Sequence, residues 1–225
     1  MTRALIAGSG SEIPPFEVTN DTLARIMDTS DAWIRERTGV ETRHYVEAGT
    51  STTDLAVPAA RRALESAGVD AAEIDLVVFA TMTPDHFFPG NGGLLQTRLG
   101  LRPVPCFDIR QQCSGFLYGL QLVDAHIRSG MTRTALLVGA EVHTGFMPWG
   151  DGSWARLNGD VEAPISQAEW DFNTRGWTHS SRRPRAARRL RRRHDLGRDP
   201  RPRLAGRVDF HHGLLGATRA AGGSR

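Results

Sequence analysis

Residues 106–120 have the sequence Cys106-Phe107-Asp108-Ile109-Arg110-Gln111-Gln112-Cys113-Ser114-Gly115-Phe116-Leu117-Tyr118-Gly119-Leu120. A short apolar run, residues 104–109, predicts a strand, and the polar residues after it predict a tight turn. From Cys113 onward, apolar residues recur at roughly helical spacing until Ser129-Gly130, which predicts a long helix. Cys113 therefore falls at or beside the first turn of that helix.

Two interpretations of Cys113 follow from this position. Unsatisfied backbone N–H groups and the positive end of the helix dipole favour a thiolate, which exchanges readily with acyl thioesters. N–H groups at the same helix end can also hold an oxyanion. Alternatively, Cys113 is a small buried hydrophobic residue, as free cysteines commonly are. The position alone leaves both interpretations open.

The surrounding residues carry a family resemblance. Phe107-Asp108, Cys113-Ser114-Gly115-Phe116 and Tyr118 together resemble the nucleophile segment of the ketoacyl-acyl-carrier-protein synthase III family, within the thiolase superfamily. The resemblance extends over residues 1 to about 150 and is absent after about 175. It implies an α/β, thiolase-like fold, of which this chain holds the N-terminal βαβαβαβ half, a mixed sheet covered by helices.

The resemblance also implies a function. In the family the cysteine takes an acyl group from acyl-CoA and condenses it with malonyl-acyl-carrier protein, so Cys113 is the expected catalytic residue. Acyl-CoA is then a substrate, no other cofactor is expected, and the partners are acyl-carrier protein and a second copy in a homodimer. A different class remains open, in which the chain is a non-catalytic, thiolase-like dimerisation partner.

A second match concerns coenzyme A. Thr29-Ser30-Asp31, Trp33-Ile34 and Arg37-Thr38-Gly39-Val40 are close to the family's pattern, in which the threonine, tryptophan and arginine bind coenzyme A. Carried over, these residues are Thr29, Trp33 and Arg37, with the indole stacking on adenine and the guanidinium meeting phosphate or base edges. Without the family, Trp33 would be read as a core anchor and Arg37 as a solvated charge.

A third match lies in the loop Thr83-Pro84-Asp85-His86-Phe87-Phe88-Pro89-Gly90. It resembles the family loop in which a phenylalanine helps to wall the acyl pocket of the neighbouring subunit, and Phe88 is the matching residue. As a bare observation, two adjacent aromatic residues in a loop also suit a local packing plug.

The remaining pattern predicts alternating strands and helices. Strands are expected at residues 3–7, 74–81 and 134–142, and helices at 22–27, 32–37, 55–67 and about 93–99. Gly8-Ser9-Gly10 is expected to form a tight turn, because the third glycine of a dinucleotide fingerprint is missing. Residues 144–174 are expected to be loop-like, a cap over the site. The order predicts a parallel or mixed sheet with right-handed crossovers.

The charge divides the chain in two. Residues 1–174 hold 13 arginines against 22 acidic residues, a net charge of −9, whereas residues 175–225 hold 15 arginines against 3 aspartates, a net charge of +12. We predict a thiolase-like domain at 1–174 and an arginine-rich, unstructured or non-native tail at 175–225. The preferred explanation of the tail is a shifted reading frame in a GC-rich gene. The alternative is a basic arm for nucleic acid or an anionic membrane, but no interleaved aromatic residues or zinc spacing support it.

The tail stands where the family continues into a second half, which brings a catalytic histidine and asparagine. None of His179, His194, His211 and His212 lies in a matching motif. The chain is therefore expected to be truncated and impaired, capable at most of slow self-acylation.

Several classes are not supported by the sequence. The apolar start, residues 1–8, is too short for a signal peptide and no later stretch reaches the length of a membrane span, so a cytoplasmic location and no membrane partner are expected. A disulfide between Cys106 and Cys113 is geometrically awkward, and Cys106 is interpreted as packing. No metal-ligand spacing is present.

Overall fold

The computed structural model describes residues 4–147, 149–178 and 215–220. These residues form two compact units. The first consists of the described residues within 1–16, 44–145 and 210–225, and the second of those within 17–43 and 146–209. Each unit is therefore assembled from separated segments, and the boundary predicted at 174/175 falls inside a helix.

The described strands are β1 Ala4–Gly10, β2 Phe16–Thr19, β3 Thr42–Tyr45, β4 Leu76–Ala80, β5 Cys106–Ile109, β6 Thr134–Gly139 and β7 Leu215–Ala220. The described helices are α1 Asn20–Leu23, α2 Asp31–Thr38, α3 Thr52–Ala67, α4 Gly92–Leu99, α5 Gly115–Arg128, α6 Asp151–Leu157 and α7 Gln167–Thr178. Short 3-10 turns occupy Ala71–Glu73, Gln112–Ser114 and Thr144–Phe146.

The first unit is built on a mixed five-stranded sheet with the order β1-β7-β6-β4-β5. β4 is parallel to both β5 and β6, whereas β7 is antiparallel to β1 and β6. The predicted mixed sheet is confirmed. The sequence pattern gives no sign of β7, which lies within the tail, and residues 179–214 and 221–225 of that tail are outside the described residues.

Helices cover both faces of this sheet, because β4 and β6 carry apolar side chains in both directions. Val77 and Phe79 of β4 pack with α3 and α4 in one core, and Leu76 and Val78 pack with α5 in the other. The predicted covering of the sheet by helices is therefore confirmed.

Capping explains where several helices begin and end. The Ser51 hydroxyl accepts a hydrogen bond from the Asp54 N–H, and the Asp54 carboxylate accepts one from the Ser51 N–H. Gly68 ends α3 in the left-handed conformation. At α2 the Ser30 hydroxyl accepts from the Trp33 N–H, and Gly39 ends the helix in the left-handed conformation. Both helices lie where the sequence pattern predicts them, at 32–37 and 55–67.

Two sequence predictions are wrong in this region. Gly8 and Gly10 lie in β1 instead of a turn, and they are glycines because α3 is close: a Cβ at Gly8 would lie 2.8 Å from the Ala63 carbonyl oxygen. Residues 144–174 are not loop-like, because they contain α6 and most of α7. Ser166, whose side chain accepts from the Glu169 N–H, is the capping signal for α7 that the sequence analysis missed.

Candidate active site

Cys113 lies in the 3-10 turn Gln112–Ser114, directly between β5 and α5. The residue before it, Gln112, has φ +46°, and it is the only non-glycine residue with positive φ in the described part of the chain. Such a conformation is unfavourable for a residue with a Cβ, and it recurs where a turn presents a functional side chain. Cys113 itself is exposed, so the interpretation as a buried packing residue is wrong.

The position of Cys113 follows from how α5 is seated on the sheet. Gly115 and Gly119 face β4 and β6, and added Cβ atoms would meet Ala80 and Leu137 respectively. Ala80 is the last residue of β4, so the first turn of α5 lies beside the carboxyl end of a parallel strand. That edge of an open α/β sheet is where ligands commonly bind.

The turn uses some of the N–H groups that the sequence analysis assigned to an oxyanion. Ser114 N–H donates to the Gln111 carbonyl at 3.0 Å, and Gly115 N–H donates to the Gln112 carbonyl. These two donors are already engaged within the turn. Ser114, the N-cap residue of α5, makes no side-chain cap.

Cys106 occupies a different environment. It is partly buried on β5 against the core that α3 and α4 share, with its sulfur 3.4 Å from Gln96 Oε1. Burial and the charge of Asp108 raise the pKa of the Cys106 thiol. The two cysteines are thus chemically distinct, and both are free thiols.

Phe88 lies in the aromatic loop, which we define as residues 84–90. Its side chain is 92% exposed and that of Phe87 is 75% exposed, so the interpretation as a local packing plug is wrong. The guanidinium carbon of Arg110 lies 5.0 Å from the centre of the Phe87 ring, a cation–π distance. Because Arg110 precedes Cys113 by three residues, this contact joins the aromatic loop to the turn that carries Cys113.

Thr29, Trp33 and Arg37 belong to the second unit, whereas Cys113 and Phe88 belong to the first. Trp33 and Arg37 are one turn apart on α2, with the guanidinium carbon 4.5 Å from the indole centre. Arg37 also lies 3.4 Å from the exposed carboxylate of Glu36. The Thr29 hydroxyl is buried and has no hydrogen-bond partner among the described residues.

The structure adds polar residues that the sequence analysis did not select. Asp108 of β5 accepts from the N–H groups of Asn91 and Gly92, at 2.7 and 3.2 Å, and so caps α4 from another element. Glu141, just after β6, accepts from the Met82 N–H and the Thr83 hydroxyl. No local signal marks these pairs, because they join residues 16 to 59 positions apart.

The described residues contain no group of three or more histidine, cysteine, aspartate or glutamate side chains that could hold a metal ion. None of their helices combines the length and the apolarity that crossing a bilayer requires.

The sheet order, the two helical layers and the cysteine turn before α5 define a thiolase-like α/β protein. The family model for 3-oxoacyl-[acyl-carrier-protein (ACP)] synthase III matches residues 107–163. The beta-ketoacyl-[acyl-carrier-protein] synthase III of Rhodospirillum rubrum is 52% identical over 161 residues, which is 71% of this chain and 50% of that protein. Over the part that it shares with such relatives, the chain belongs to the 3-oxoacyl-[acyl-carrier-protein] synthase III family.

Solved structures agree with this assignment. The 3-oxoacyl-[acyl-carrier-protein] synthase III of Aquifex aeolicus VF5 superimposes with a TM-score of 0.62 at 38% identity, over 69% of this chain and 50% of that one. The corresponding enzyme of Pseudomonas aeruginosa PAO1 gives 0.65 at 28% identity, over 98% of this chain and 52% of that one. The chain spans about half the length of the curated relatives that it matches.

Proposed function

We propose that this chain accepts an acyl group from acyl-CoA onto Cys113, as an acyltransferase of the ketoacyl synthase III type. The observation that carries the proposal is the exposed Cys113 in its positive-φ turn at the carboxyl end of β4, inside the segment that the family model matches. A nucleophile must be reachable by its substrate, and the exposure of Cys113 supports this requirement.

The loading step is a thioester exchange. The Cys113 sulfur forms a bond to the acyl carbonyl carbon, and the bond between that carbon and the sulfur of coenzyme A breaks. The proton of the Cys113 thiol ends on the released coenzyme A thiol. No oxidant, reductant or metal enters this balance.

Coenzyme A is proposed to bind through Thr29, Trp33 and Arg37. The indole offers a flat apolar surface for adenine, and the guanidinium offers donors for phosphate. Glu36 forms an ion pair with Arg37, but both side chains are exposed. Such a pair contributes little to stability, so a phosphate group can replace the Glu36 carboxylate as the partner of Arg37.

The second substrate and the partners are also proposals. The names of the relatives point to acyl-carrier protein, which would bring the malonyl unit for condensation. A homodimer would place Phe88 of one copy in the acyl pocket of the other, and its 92% exposure supports a role outside its own core. Because the family's histidine and asparagine come from a second half, we expect this chain to load an acyl group slowly and not to condense it.

Intact-protein mass spectrometry after incubation with acetyl-CoA tests the proposal. We expect one acyl adduct, which Cys113→Ala abolishes and Cys106→Ala retains. Trp33→Ala should weaken coenzyme A binding by about tenfold, the equivalent of about 1.4 kcal/mol, without changing alkylation of Cys113. Absence of an adduct from the folded wild type would reject acyl transfer and leave the non-catalytic, dimerising role. Full condensation with malonyl-acyl-carrier protein would reject the proposed impairment.

A further inference from the structure

The aromatic loop, residues 84–90, is closed at its base by a polar neck. Asp85 N–H donates to Asn91 Oδ1 at 3.0 Å, and Asn91 Nδ2 donates back to Asp85 Oδ1 at 3.0 Å. The five residues between Asp85 and Asn91 are thereby held as a short loop with a fixed entrance and exit. Backbone freedom is lost where such paired bonds join the ends of a loop.

Asn91 is the centre of the neck. Asn91 is 0% exposed. Its Nδ2 also donates a hydrogen bond to the Thr53 hydroxyl at 2.9 Å. The amide thus accepts one hydrogen bond, from the Asp85 N–H, and donates two, to the Asp85 carboxylate and the Thr53 hydroxyl. A buried amide satisfied in this way specifies one local geometry, because any displacement leaves buried polar atoms unpaired.

The neck is anchored on both sides. Thr53, at the start of α3, also donates its N–H to Asp85 Oδ1 at 3.2 Å. On the other side, the Asn91 N–H donates to Asp108 at 2.7 Å, and Asp108 lies on β5. The neck is therefore tied to a helix and to the strand that leads to Cys113.

The loop beyond the neck has the opposite character. Residues 86–89 are all exposed, and they include the two phenylalanines. A rigidly held, exposed aromatic side chain is the kind of anchor that concentrates binding energy at an interface, because little conformational entropy is lost when it is buried.

We propose that Asn91 is a positioning residue, which holds Phe88 in place and thereby sets which acyl groups Cys113 of a second copy accepts. The inference rests on the proposed function, in which Phe88 walls the acyl pocket across the dimer. One methylene group changes the binding free energy in a hydrophobic pocket by only about 1–3 kcal/mol. A pocket wall therefore discriminates between acyl chain lengths only if it keeps its position when a longer chain binds. The neck supplies that rigidity.

Hydrogen exchange of the loop tests the positioning step by itself. Asn91→Ala should raise exchange of the amides in residues 85–90 by about tenfold, since it removes the three side-chain bonds of the neck. Thr53→Val, which removes only the hydroxyl that Asn91 contacts, should give a smaller increase and guards against loss of folding in the first variant. Thr97→Ala, which removes a side-chain bond to Gly93 on the exposed face of α4, is the matched control and should leave the loop unchanged.

The specificity step is tested by the ratio of Cys113 adduct formation with acetyl-CoA and with octanoyl-CoA. Asn91→Ala should change this ratio by about threefold to tenfold, whereas Thr97→Ala should not. The alkylation rate of Cys113 with iodoacetamide serves as the control for intact folding and should be the same in all variants. If Asn91 had a merely structural role, Asn91→Ala would change adduct formation with acetyl-CoA and with octanoyl-CoA by the same factor.

The outcomes separate the two proposals. If the loop exchanges faster and the donor ratio shifts, the inference stands. If the loop exchanges faster while the ratio stays constant, or if exchange does not change, the inference is overturned although acyl transfer to Cys113 survives. If the wild type forms no adduct with either donor, the proposed function fails, and the specificity role of Asn91 falls with it.

Discussion

At the scale of single residues, the two cysteines of this chain have opposite expected reactivity. Burial and the nearby Asp108 charge raise the pKa of Cys106, which keeps its thiol protonated to higher pH, whereas Cys113 is exposed. Limited treatment with iodoacetamide near pH 8 should therefore alkylate Cys113 well before Cys106. Peptide mass spectrometry measures the two rates, and Cys106→Ala should leave the rate at Cys113 unchanged. Equal rates would contradict the exposed position of Cys113.

Asp85 gives a pH dependence to the neck of the aromatic loop. Burial opposes its charge, but hydrogen bonds from Thr53 and Asn91 outweigh burial and lower the pKa of Asp85 below its ordinary value of 3.8. A lowered folded pKa means that the contribution to stability is present above 3.8 and is lost as pH falls through the lowered value. The stability difference between wild type and Asp85→Ala, from denaturant unfolding, should thus be constant between pH 7 and 5 and shrink in stronger acid. A difference that grows in acid would exclude this assignment.

These residue-scale features differ in how far the sequence could predict them. Cys113 was predictable, because a strand, a polar turn and a periodic helix locate it at a helix start. The neck was not, because Asn91 and Thr53 are 38 positions apart and neither lies in a local motif. Long-range polar pairs depend on how helices dock on the sheet, which side-chain periodicity does not encode.

At the scale of elements, local chemistry predicted the helices that carry strong caps. α2 and α3 begin at serine N-caps and end at left-handed glycines, so their bounds followed from the sequence. β2 and β3 are four residues each, too short to show a period of two, and the analysis missed them. α6 was missed because its N-cap residue, Gly150, makes no side-chain cap, and α7 was missed because the Ser166 cap was not recognised.

The contact between β1 and α3 provides a test at this scale. Gly8→Ala would place a Cβ 2.8 Å from the Ala63 carbonyl oxygen and nearer still to the Ala67 N–H group, and helix backbone cannot move as a side chain can. We expect a loss of about 2–3 kcal/mol in the free energy of unfolding. Ser9→Ala, at the exposed residue between the two glycines, is the control and should change stability by less than about 0.5 kcal/mol. Equal effects in thermal unfolding would refute the close approach of β1 and α3.

At the scale of the whole molecule, the chain combines about half of a synthase III relative with a basic C-terminal segment. The family and the thiolase-like fold were predictable from residues 1–150, because the segments around Cys113 and Trp33 that resemble the family lie there. The placement of β7 was not, since its sequence has no apolar periodicity. In the sheet it lies between β1 and β6 and is antiparallel to both, a pairing that depends on backbone groups far apart in the chain.

The strand β7 makes the C-terminal segment part of the fold. Ala217 pairs with Gly8 on one side and with Leu136 on the other, so β7 shields the edges of both neighbours. A chain that ends at residue 214 leaves those edges unpaired, and we expect it to lose several kcal/mol, a large share of the stability of a typical domain. A chain that ends at residue 220 keeps the strand and should unfold like the wild type. Denaturant unfolding and hydrogen exchange in β1 and β6 compare the two. Identical behaviour would show that β7 contributes nothing, and the tail could then be removed freely in tests of a basic arm.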